Sequence, residues 1–306
     1  MTLSEGASAN ERSIINYYAN DRSYELHELT TINNNINQNN CFAWCICSAI
    51  MFLPEKHVER SIPALRQLIK ENPFAVLTTA IPSTTNKLIQ STQLPFVFDV
   101  EDDSSETELG VLRAHMARQN PQAKSMIESV TTSTASQPST PAFLEQEVMV
   151  LFTAQANHYI TTKFYKQTKP TTGKVVPTWN YASAQVYGKA KIYYDHKSED
   201  TVMFLKQQLH ALSENSERNI MGYTGENGAQ KPWQFTDAPE SYTSLLMKNI
   251  IGIEIVVETL EGKFKMSQEM QTADMEGVVE GLEAVRTEQA QRVADMVRCK
   301  NAAKLT

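Results

Sequence analysis

A strict period-two alternation over residues 179–193 is the feature that most restricts how this chain can fold. The even positions are small or apolar, namely Ala182, Ala184, Val186, Gly188, Ala190 and Ile192. The odd positions are polar or aromatic, namely Tyr181, Ser183, Gln185, Tyr187, Lys189, Lys191 and Tyr193. Because neighbouring side chains of a strand point to opposite faces, the segment predicts one long strand with a single buried face. Small residues on that face indicate a tightly curved sheet or a small barrel.

Shorter apolar and β-branched runs predict further strands over 74–80, 88–100, 111–117, 147–154, 158–162, 250–258 and 262–266, with a tight turn at Leu260–Gly262 between the last two. Apolar residues at helical spacing predict helices over 61–71, from 120 to about 130, after Ser198, over 241–248 and over 272–298. Ser61 and Asn120 are the expected N-caps of the first two helices. Since few helices separate the strands, we predict an α+β fold, an antiparallel barrel with flanking helices, rather than a doubly wound sheet.

Net charge and cysteine content argue against some classes of protein. The chain has 35 acidic and 28 basic residues in 306, a net charge of −7, which argues against a broadly basic surface for direct nucleic-acid binding. Its four cysteines are too few for a disulfide scaffold and suit a reducing compartment, so we expect a cytoplasmic protein, or a nuclear one if it is regulatory. No apolar run reaches the roughly 20 residues of a membrane span, so we expect no membrane partner.

The first fifty residues differ from the remainder. A low-complexity asparagine tract occupies residues 30–40 and precedes an apolar run at 41–54. We predict a poorly structured extension over residues 1–50 and one domain over 51–306, with Met51 as the natural start of the folded unit. Three cysteines in the apolar run, Cys41, Cys45 and Cys47, could be read as metal ligands or as unrelated thiols. Their spacing matches no standard zinc pattern, so we predict no metal site.

The segment His115–Lys124 is the most suggestive of ligand chemistry. A predicted strand ends there and a helix begins at Asn120, so free backbone N–H groups and a positive dipole end are expected at one point. Arg118 and Lys124 flank this point and could contact the same phosphate. The alternative is an ordinary solvated turn between a strand and a helix.

Two further segments offer binding groups. Trp179, Asn180 and Tyr181 combine stacking surface with an amide, although a packed aromatic cluster would have the same sequence. Lys263 and Lys265 share one face of a predicted strand, either as a solvated edge or as a cationic rim beside a bound anion.

The sequence assigns no catalytic residue. It has no G-x-S-x-G elbow, no H-E-x-x-H motif and no glycine-rich phosphate loop. His115 is only a candidate proton donor. We interpret His158 and Tyr159, beside an apolar strand, as polar groups satisfied in the core.

The segments together resemble one family, the PaiB-type FMN-binding negative transcriptional regulators. The resemblance extends over about residues 51–298, in matching order and spacing. It rests on the strings FAVLTTA, QLPFVFD, LRAHMARQNPQAK, EVMVLFTAQANHYIT, VPTWNYASAQVYGKAKI, IIGIEIVVETLEGKFKMSQ and EGVVEGLE. Residues 1–50 and the loops at Thr131–Pro141 and Gly222–Lys231 look like additions to the bacterial pattern.

The resemblance implies a split β-barrel related to pyridoxamine-phosphate oxidases, a homodimer with FMN at the subunit interface. It implies that the FMN phosphate lies near HMARQNPQAK and that the strand containing Ser91, Thr92 and Gln93 lines the flavin. Relatives often have histidine at the position of Gln93. The implied cofactor-binding set is Ser91, Thr92, Gln93, His115, Met116, Ala117, Arg118, Asn120, Lys124, Trp179, Asn180, Tyr181, Lys265 and Gln268.

We therefore predict a flavoprotein that holds FMN noncovalently, with flavin-dependent oxidoreductase activity. Two alternatives stay open at this point. One is a regulator of transcription or a protein-interaction module that acts without reading DNA directly. The other is a barrel that has lost FMN and serves as a dimeric scaffold.

Overall fold

The computed structural model describes residues 51–133 and 142–305. The predicted extension over residues 1–50, with its three cysteines, lies outside these ranges, as does most of the loop predicted at 131–141. Within the described residues, no helix is both long enough and apolar enough to cross a lipid bilayer.

An antiparallel sheet forms the centre of the fold. Its strands are β1 (Val58–Glu59), β2 (Phe74–Ala80), β3 (Ile89–Pro95), β4 (Val97–Asp99), β5 (Val111–Ala117), β6 (Ala142–Thr153), β7 (His158–Ile160), β8 (Thr178–Tyr193) and β9 (Ile250–Lys265). The hydrogen-bonded order is β3-β2-β6-β8-β9-β5-β4, with β1 added beside β9 and β7 beside β8. Every pairing is antiparallel.

The two ends of this sheet are joined by a single residue. β3 and β4 lie at opposite ends of the strand order, yet only Phe96 separates them in the chain. Pro95 and Val97 must therefore lie within about 7 Å of each other, so the sheet is bent round on itself. The chain brings the two ends together without a hydrogen-bonded β3–β4 pair among the described residues. This geometry confirms the predicted antiparallel split barrel with flanking helices.

The long strand predicted from the alternating pattern is confirmed as β8. Its small and apolar even positions face the core, where Ala182, Ala184 and Val186 have no exposed surface. The predicted turn at Leu260–Gly262 is wrong, because β9 runs unbroken from Ile250 to Lys265. Gly262 is required for close packing, since a Cβ at this position would overlap the Leu65 side chain.

The helices pack around this sheet. They are α1 (Ile62–Glu71), α2 (Pro121–Ser133), α3 (Thr168–Thr172), α4 (Glu199–Asn215), α5 (Glu240–Lys248), α6 (Thr272–Val285), α7 (Glu288–Lys300) and α8 (Ala302–Leu305). The predicted cap of α1 is confirmed, since the Ser61 side chain accepts a hydrogen bond from Ala64 N.

The single helix predicted over 272–298 is wrong, because the structure divides it into α6 and α7. Arg286 has a φ of 60°, a left-handed conformation that ends α6. Thr287 then caps α7 by accepting a hydrogen bond from Ala290 N at 3.2 Å. The two helices therefore pack against each other as an antiparallel pair joined by a short turn.

Candidate functional site

A groove of about 820 Å³ opens between the edge strand β3 and the start of α2. We call it the β3–α2 groove. Its lining is rich in hydroxyl and amide groups and consists of Thr85, Asn86, Lys87, Ile89, Gln90, Ser91, Thr92, Gln93, Asn120, Pro121 and Gln122. No carboxylate is among these residues, so within the described part of the chain the groove is electrostatically suited to an anion.

Asn120 positions the start of α2 in this groove. Its Oδ1 accepts a hydrogen bond from Gln122 N at 2.9 Å, which confirms the predicted N-cap. Its Nδ2 donates to Thr92 Oγ1 at 3.1 Å, so the same side chain joins the helix to β3. The positive end of the helix dipole therefore faces the groove beside Thr92.

Gln122 supports the groove floor and was missed by the sequence reasoning, although it lies within the HMARQNPQAK segment. Its buried Nε2 is within hydrogen-bond distance of Leu77 O, Thr79 Oγ1 and Gln90 O, at 3.0 to 3.2 Å. Its Oε1 is buried without a partner among the described residues.

The three predicted flavin-lining residues of β3 are brought together with Asn120. Ser91 and Gln93 lie on the outer face of the sheet and are exposed, whereas Thr92 points to the opposite side toward α2. Thr78 on β2 lies opposite Ser91, and their hydroxyl oxygens are 2.9 Å apart. Since β3 pairs only with β2, its other edge is open to a ligand within the described part of the chain.

The guanidinium of Arg118 forms hydrogen bonds within the protein. Its guanidinium donates to the backbone carbonyls of Tyr194, Lys248 and Ile250, the latter two at 3.2 and 3.5 Å. These bonds join the end of β5 to the end of α5 and the start of β9. A phosphate contact by Arg118 stays a prediction, and a phosphate would compete with these carbonyls. Lys124, in the first turn of α2, is exposed.

The other predicted residues of β5 do not line the β3–α2 groove. Met116 belongs to the core with 3% exposure, and Ala117 is exposed at the strand end. His115 is half-buried, and its Nδ1 has no partner among the described residues. Burial lowers the pKa of His115, so the neutral imidazole is favoured near pH 7.

The structure gives the predicted Trp-Asn-Tyr residues separate roles. Trp179 makes an edge contact with Tyr159, with 6.2 Å between ring centroids. Asn180 is fully buried, and its Nδ2 donates to Ser267 Oγ at 2.9 Å, so its amide is used inside the fold. The interpretation of Tyr159 as a core residue is wrong, since it is 45% exposed.

Lys265 and Gln268 stabilise the end of β9. Lys265 Nζ donates to Thr178 Oγ1 at 2.6 Å and to Trp179 O at 3.0 Å. Gln268 Nε2 donates to Phe264 O, and its Oε1 accepts from Met266 N. Burial lowers the pKa of Lys265, although the nearby carboxylate of Glu269 opposes this shift.

Tyr181 lies in a second groove, of about 430 Å³, which we call the β6–β8 groove. Its lining is Met51, Phe52, Leu151, Thr153, Tyr181, Ser183, Gln185 and Lys263. The pairing register aligns Gln93, Val76, Leu151 and Gln185 across four adjacent strands. The β6–β8 groove therefore opens on the outer face of the sheet, the face that also carries the side chains of Ser91 and Gln93. Among the described residues, no group of three or more His, Cys, Asp or Glu side chains could hold a metal ion.

The chain is similar in sequence to one protein family and in fold to known structures. Residues 51–259 match the model of a family described as "Putative FMN-binding domain". An uncharacterized protein of Emericella nidulans is 52% identical over 249 residues, which cover 81% of this chain and 96% of that protein. The protease synthase and sporulation protein PAI 2 of Bacillus subtilis is 24% identical over 253 residues, which cover 82% of this chain and 98% of that protein. Among solved structures, the FAD and heme binding protein of Mycobacterium smegmatis has a TM-score of 0.38 at 13% identity, covering 68% of this chain and 73% of that one.

Proposed function

The chain belongs to the family of FMN-binding domains, and from this premise we propose that it is a flavoprotein that holds FMN noncovalently in the β3–α2 groove. The family match confirms the predicted resemblance and gives FMN as the cofactor. One observation supports this location for FMN. The hydrogen bond from Asn120 to Thr92 brings the N-terminus of a helix beside the strand that is predicted to line the flavin.

The residues of the groove fit FMN in size and in chemistry. Its volume of about 820 Å³ lies within the roughly 300–1,000 Å³ of small-molecule and cofactor sites. FMN needs donors for a phosphate, partners for the ribityl hydroxyls and mixed donors and acceptors for the ring edge. The hydroxyl and amide groups of the lining provide both kinds.

The start of α2 is the best place for the phosphate. Backbone N–H groups and the helix dipole favour an anion there. Lys87 lines the groove, and Lys124 lies one turn into the helix, so two flexible ammonium groups flank this point. We leave Arg118 out of the direct contacts because its guanidinium is bonded to three backbone carbonyls.

The edge strand β3 would hold the ring system. Ser91 and Gln93 extend from its outer face, and the amide of Gln93 can both donate and accept hydrogen bonds. This amide stands where relatives often have histidine, and it preserves the ability to bond the polar edge of a flavin. Thr92 is held by Asn120, so β3 and the helix start keep a constant separation.

When bound, FMN would supply electron and hydride transfer, and the chain would bind it, orient it and limit its contact with water. The lining has no histidine or carboxylate to move a proton within the described residues. We therefore propose oxidoreductase activity without assigning a protein acid or base. His115, which lies outside the groove lining, stays only a candidate.

A homodimer would cover the open side of the groove. Ile89 is 68% exposed and Leu88 54% exposed, at the end of β3 beside the groove. Two adjacent exposed apolar side chains at a sheet edge favour contact with another protein surface. A second copy at this edge would place the cofactor between two subunits.

Flavin binding is tested by purifying the full chain, recording its absorbance, removing FMN and titrating it back. We expect visible flavin bands and one FMN per chain. Gln93→Ala should raise the Kd for FMN by about five- to tenfold, since one hydrogen bond to the ring edge is lost. Gln207→Ala, an exposed glutamine on α4, is the matched control and should leave the Kd unchanged.

Failure to bind FMN at micromolar concentration would refute the proposal and leave the scaffold alternative. Oxidoreductase activity is tested separately, by mixing the FMN-loaded protein with NADH or NADPH without oxygen and following loss of the flavin band. The regulatory alternative has only sequence resemblance in its support.

A further inference from the structure

The β6–β8 groove has the features of a second ligand site on the outer face of the sheet, which also carries the side chains of Ser91 and Gln93. Leu151 lies two strands from Gln93 and Gln185 three strands from it, in one aligned row. Strands are about 4.8 Å apart, so Gln93 lies roughly 10–14 Å from these two residues of the groove. The volume of about 430 Å³ is in the range of small-molecule sites.

A lysine ammonium group marks the charge preference of this groove. Lys263 Nζ lies 5.3 Å from the ring centroid of Phe52 and 5.7 Å from that of Tyr181. No described carboxylate lies within the 4.0 Å of an ion pair with Lys263. The carboxylate of Glu261 instead accepts a hydrogen bond from Met51 N at 3.2 Å. Among the described residues, the ammonium of Lys263 therefore contacts two ring faces and forms no ion pair, although Glu261 lies on the same face of β9.

The neighbouring Lys265 adds to this positive potential. Burial lowers the pKa of Lys265, and the charge of Lys263 lowers it further. The carboxylate of Glu269 lies 3.8 Å from Lys265 Nζ, and it also accepts a hydrogen bond from His57. An anion that entered the groove would relieve the repulsion between the two lysines.

The groove also offers ring surface and a hydrogen-bond acceptor. Phe52 is 74% exposed, so its ring can pack on a ligand. The Oε1 of Gln185 is buried and has no partner among the described residues. Rotation of this amide about its terminal bond would present either its oxygen or its nitrogen to a ligand.

We propose that the β6–β8 groove binds a small planar organic anion that carries an N–H or O–H donor. The anionic group pairs with Lys263, the plane packs against Phe52 and Tyr181, and the donor bonds to the amide oxygen of Gln185. This site is separate from the FMN site proposed in the β3–α2 groove, so the proposal assigns Tyr181 to the second ligand and not to the flavin. Gln93, which we propose to contact the flavin ring, extends from the same face of the sheet as this groove.

The test uses 4-hydroxybenzoate as the probe, with the full chain loaded with FMN, in a calorimetric titration. We expect micromolar to low-millimolar binding to one site per chain. Two analogues separate the contacts without any mutation. Benzoate lacks the donor and should bind about fivefold more weakly, and 4-hydroxybenzamide lacks the charge and should bind at least tenfold more weakly.

Variants then locate the site. Lys263→Gln should weaken binding of 4-hydroxybenzoate at least tenfold, while Lys263→Arg, which keeps the charge, should stay within about threefold. Lys206→Gln, an exposed lysine on α4, is the matched control and should have no effect. The FMN content of each variant reports whether it folds.

Three results would overturn the proposal. They are no binding of 4-hydroxybenzoate at 10 mM (about the weakest useful affinity), equal binding of the amide and the acid, and displacement of FMN by the probe. Displacement would show that the β6–β8 groove is part of the FMN site. Loss of FMN binding in the unaltered chain would refute the proposed function instead, so the two failures are distinguishable.

Discussion

Asn120 Nδ2 lies 3.1 Å from Thr92 Oγ1, and the Oδ1 of the same amide lies 2.9 Å from Gln122 N. One side chain thus caps α2 and fixes its separation from the edge strand β3. The donor half of the amide bonds to the strand and the acceptor half bonds to the helix. The two functions can therefore be separated by mutation.

We expect Asn120→Ala to lower the free energy of unfolding by about 1–2 kcal/mol, because both the helix cap and the strand contact are lost. Asn120→Asp keeps the cap but removes the donor and adds a negative charge beside the proposed phosphate position. It should cost less stability than Asn120→Ala and weaken FMN binding more than tenfold. Urea unfolding and FMN titration measure the two effects. If Asn120→Asp binds FMN with unchanged affinity, the phosphate does not lie at the start of α2.

Arg118 distinguishes a structural role from a phosphate contact. We expect Arg118→Ala to lower the free energy of unfolding by about 1–3 kcal/mol, because three backbone carbonyls lose their donor. The Kd for FMN should change by less than about threefold. Chemical unfolding and FMN titration of the same variant give both numbers. A tenfold loss of affinity at unchanged stability would instead establish the phosphate contact predicted from the sequence.

Ile89 tests the proposed dimer edge. We expect Ile89→Glu to give a monomer in sedimentation-velocity experiments, because a buried, unpaired charge at the interface is strongly unfavourable. Val176→Glu is the matched control, since Val176 is exposed to a similar degree, 74% against 68%, but lies in the loop before β8. A dimer that survives Ile89→Glu would place the subunit interface elsewhere.

Acid sensitivity should depend on the contact between His57 and Glu269. Burial acts to raise the pKa of Glu269, but the hydrogen bond from His57 and the charge of Lys265 outweigh it, so the net pKa is lowered. A carboxyl with a lowered folded-state pKa stabilises the fold above its unfolded-state pKa, about 4.5. This contribution is lost as the pH falls through the lower folded-state value.

We therefore expect Glu269→Gln to be less stable than the unaltered chain at pH 7, with the difference shrinking below about pH 4.5. Thermal unfolding measured between pH 3 and 7 (about the range in which carboxyl groups titrate) checks this. Glu276→Gln, an exposed glutamate on α6, is the control and should follow the unaltered chain. A stability difference that stays constant down to pH 3 would contradict the assignment.

Local sequence patterns predicted the elements whose structure depends on local chemistry. The alternation in β8, the Ser61 cap and the Asn120 cap are all short-range effects, so they could be predicted from neighbouring residues. The Gly262 turn was misread because the close contact that requires this glycine comes from Leu65, almost two hundred residues away in the chain. The break at Arg286 was missed because arginine is an uncommon residue in the left-handed conformation.

The same distinction applies to the candidate site. Ser91, Thr92, Gln93 and Asn120 were predicted and do lie together. Asn180 and Arg118 were predicted from residue type, yet their polar groups are taken by partners distant in sequence, Ser267 for one and backbone carbonyls for the other. Lys87 and Gln122 were missed because only the packing of α2 on β3 makes them part of the groove.

The single-residue connection through Phe96 makes the protection of β3 against hydrogen exchange uneven along its length. At the Pro95 end, the chain turns directly into β4 and Phe96 N donates to Pro73 O at 2.9 Å, so opening there would disturb both ends of the sheet. At the Ile89 end, β3 follows the loop of residues 81–88 and is not continued by another strand of the sheet. Amides near residue 89 should therefore exchange by local fraying and those near residue 94 only by wider unfolding. Ligand binding along β3 would slow exchange most at the end that opens most easily.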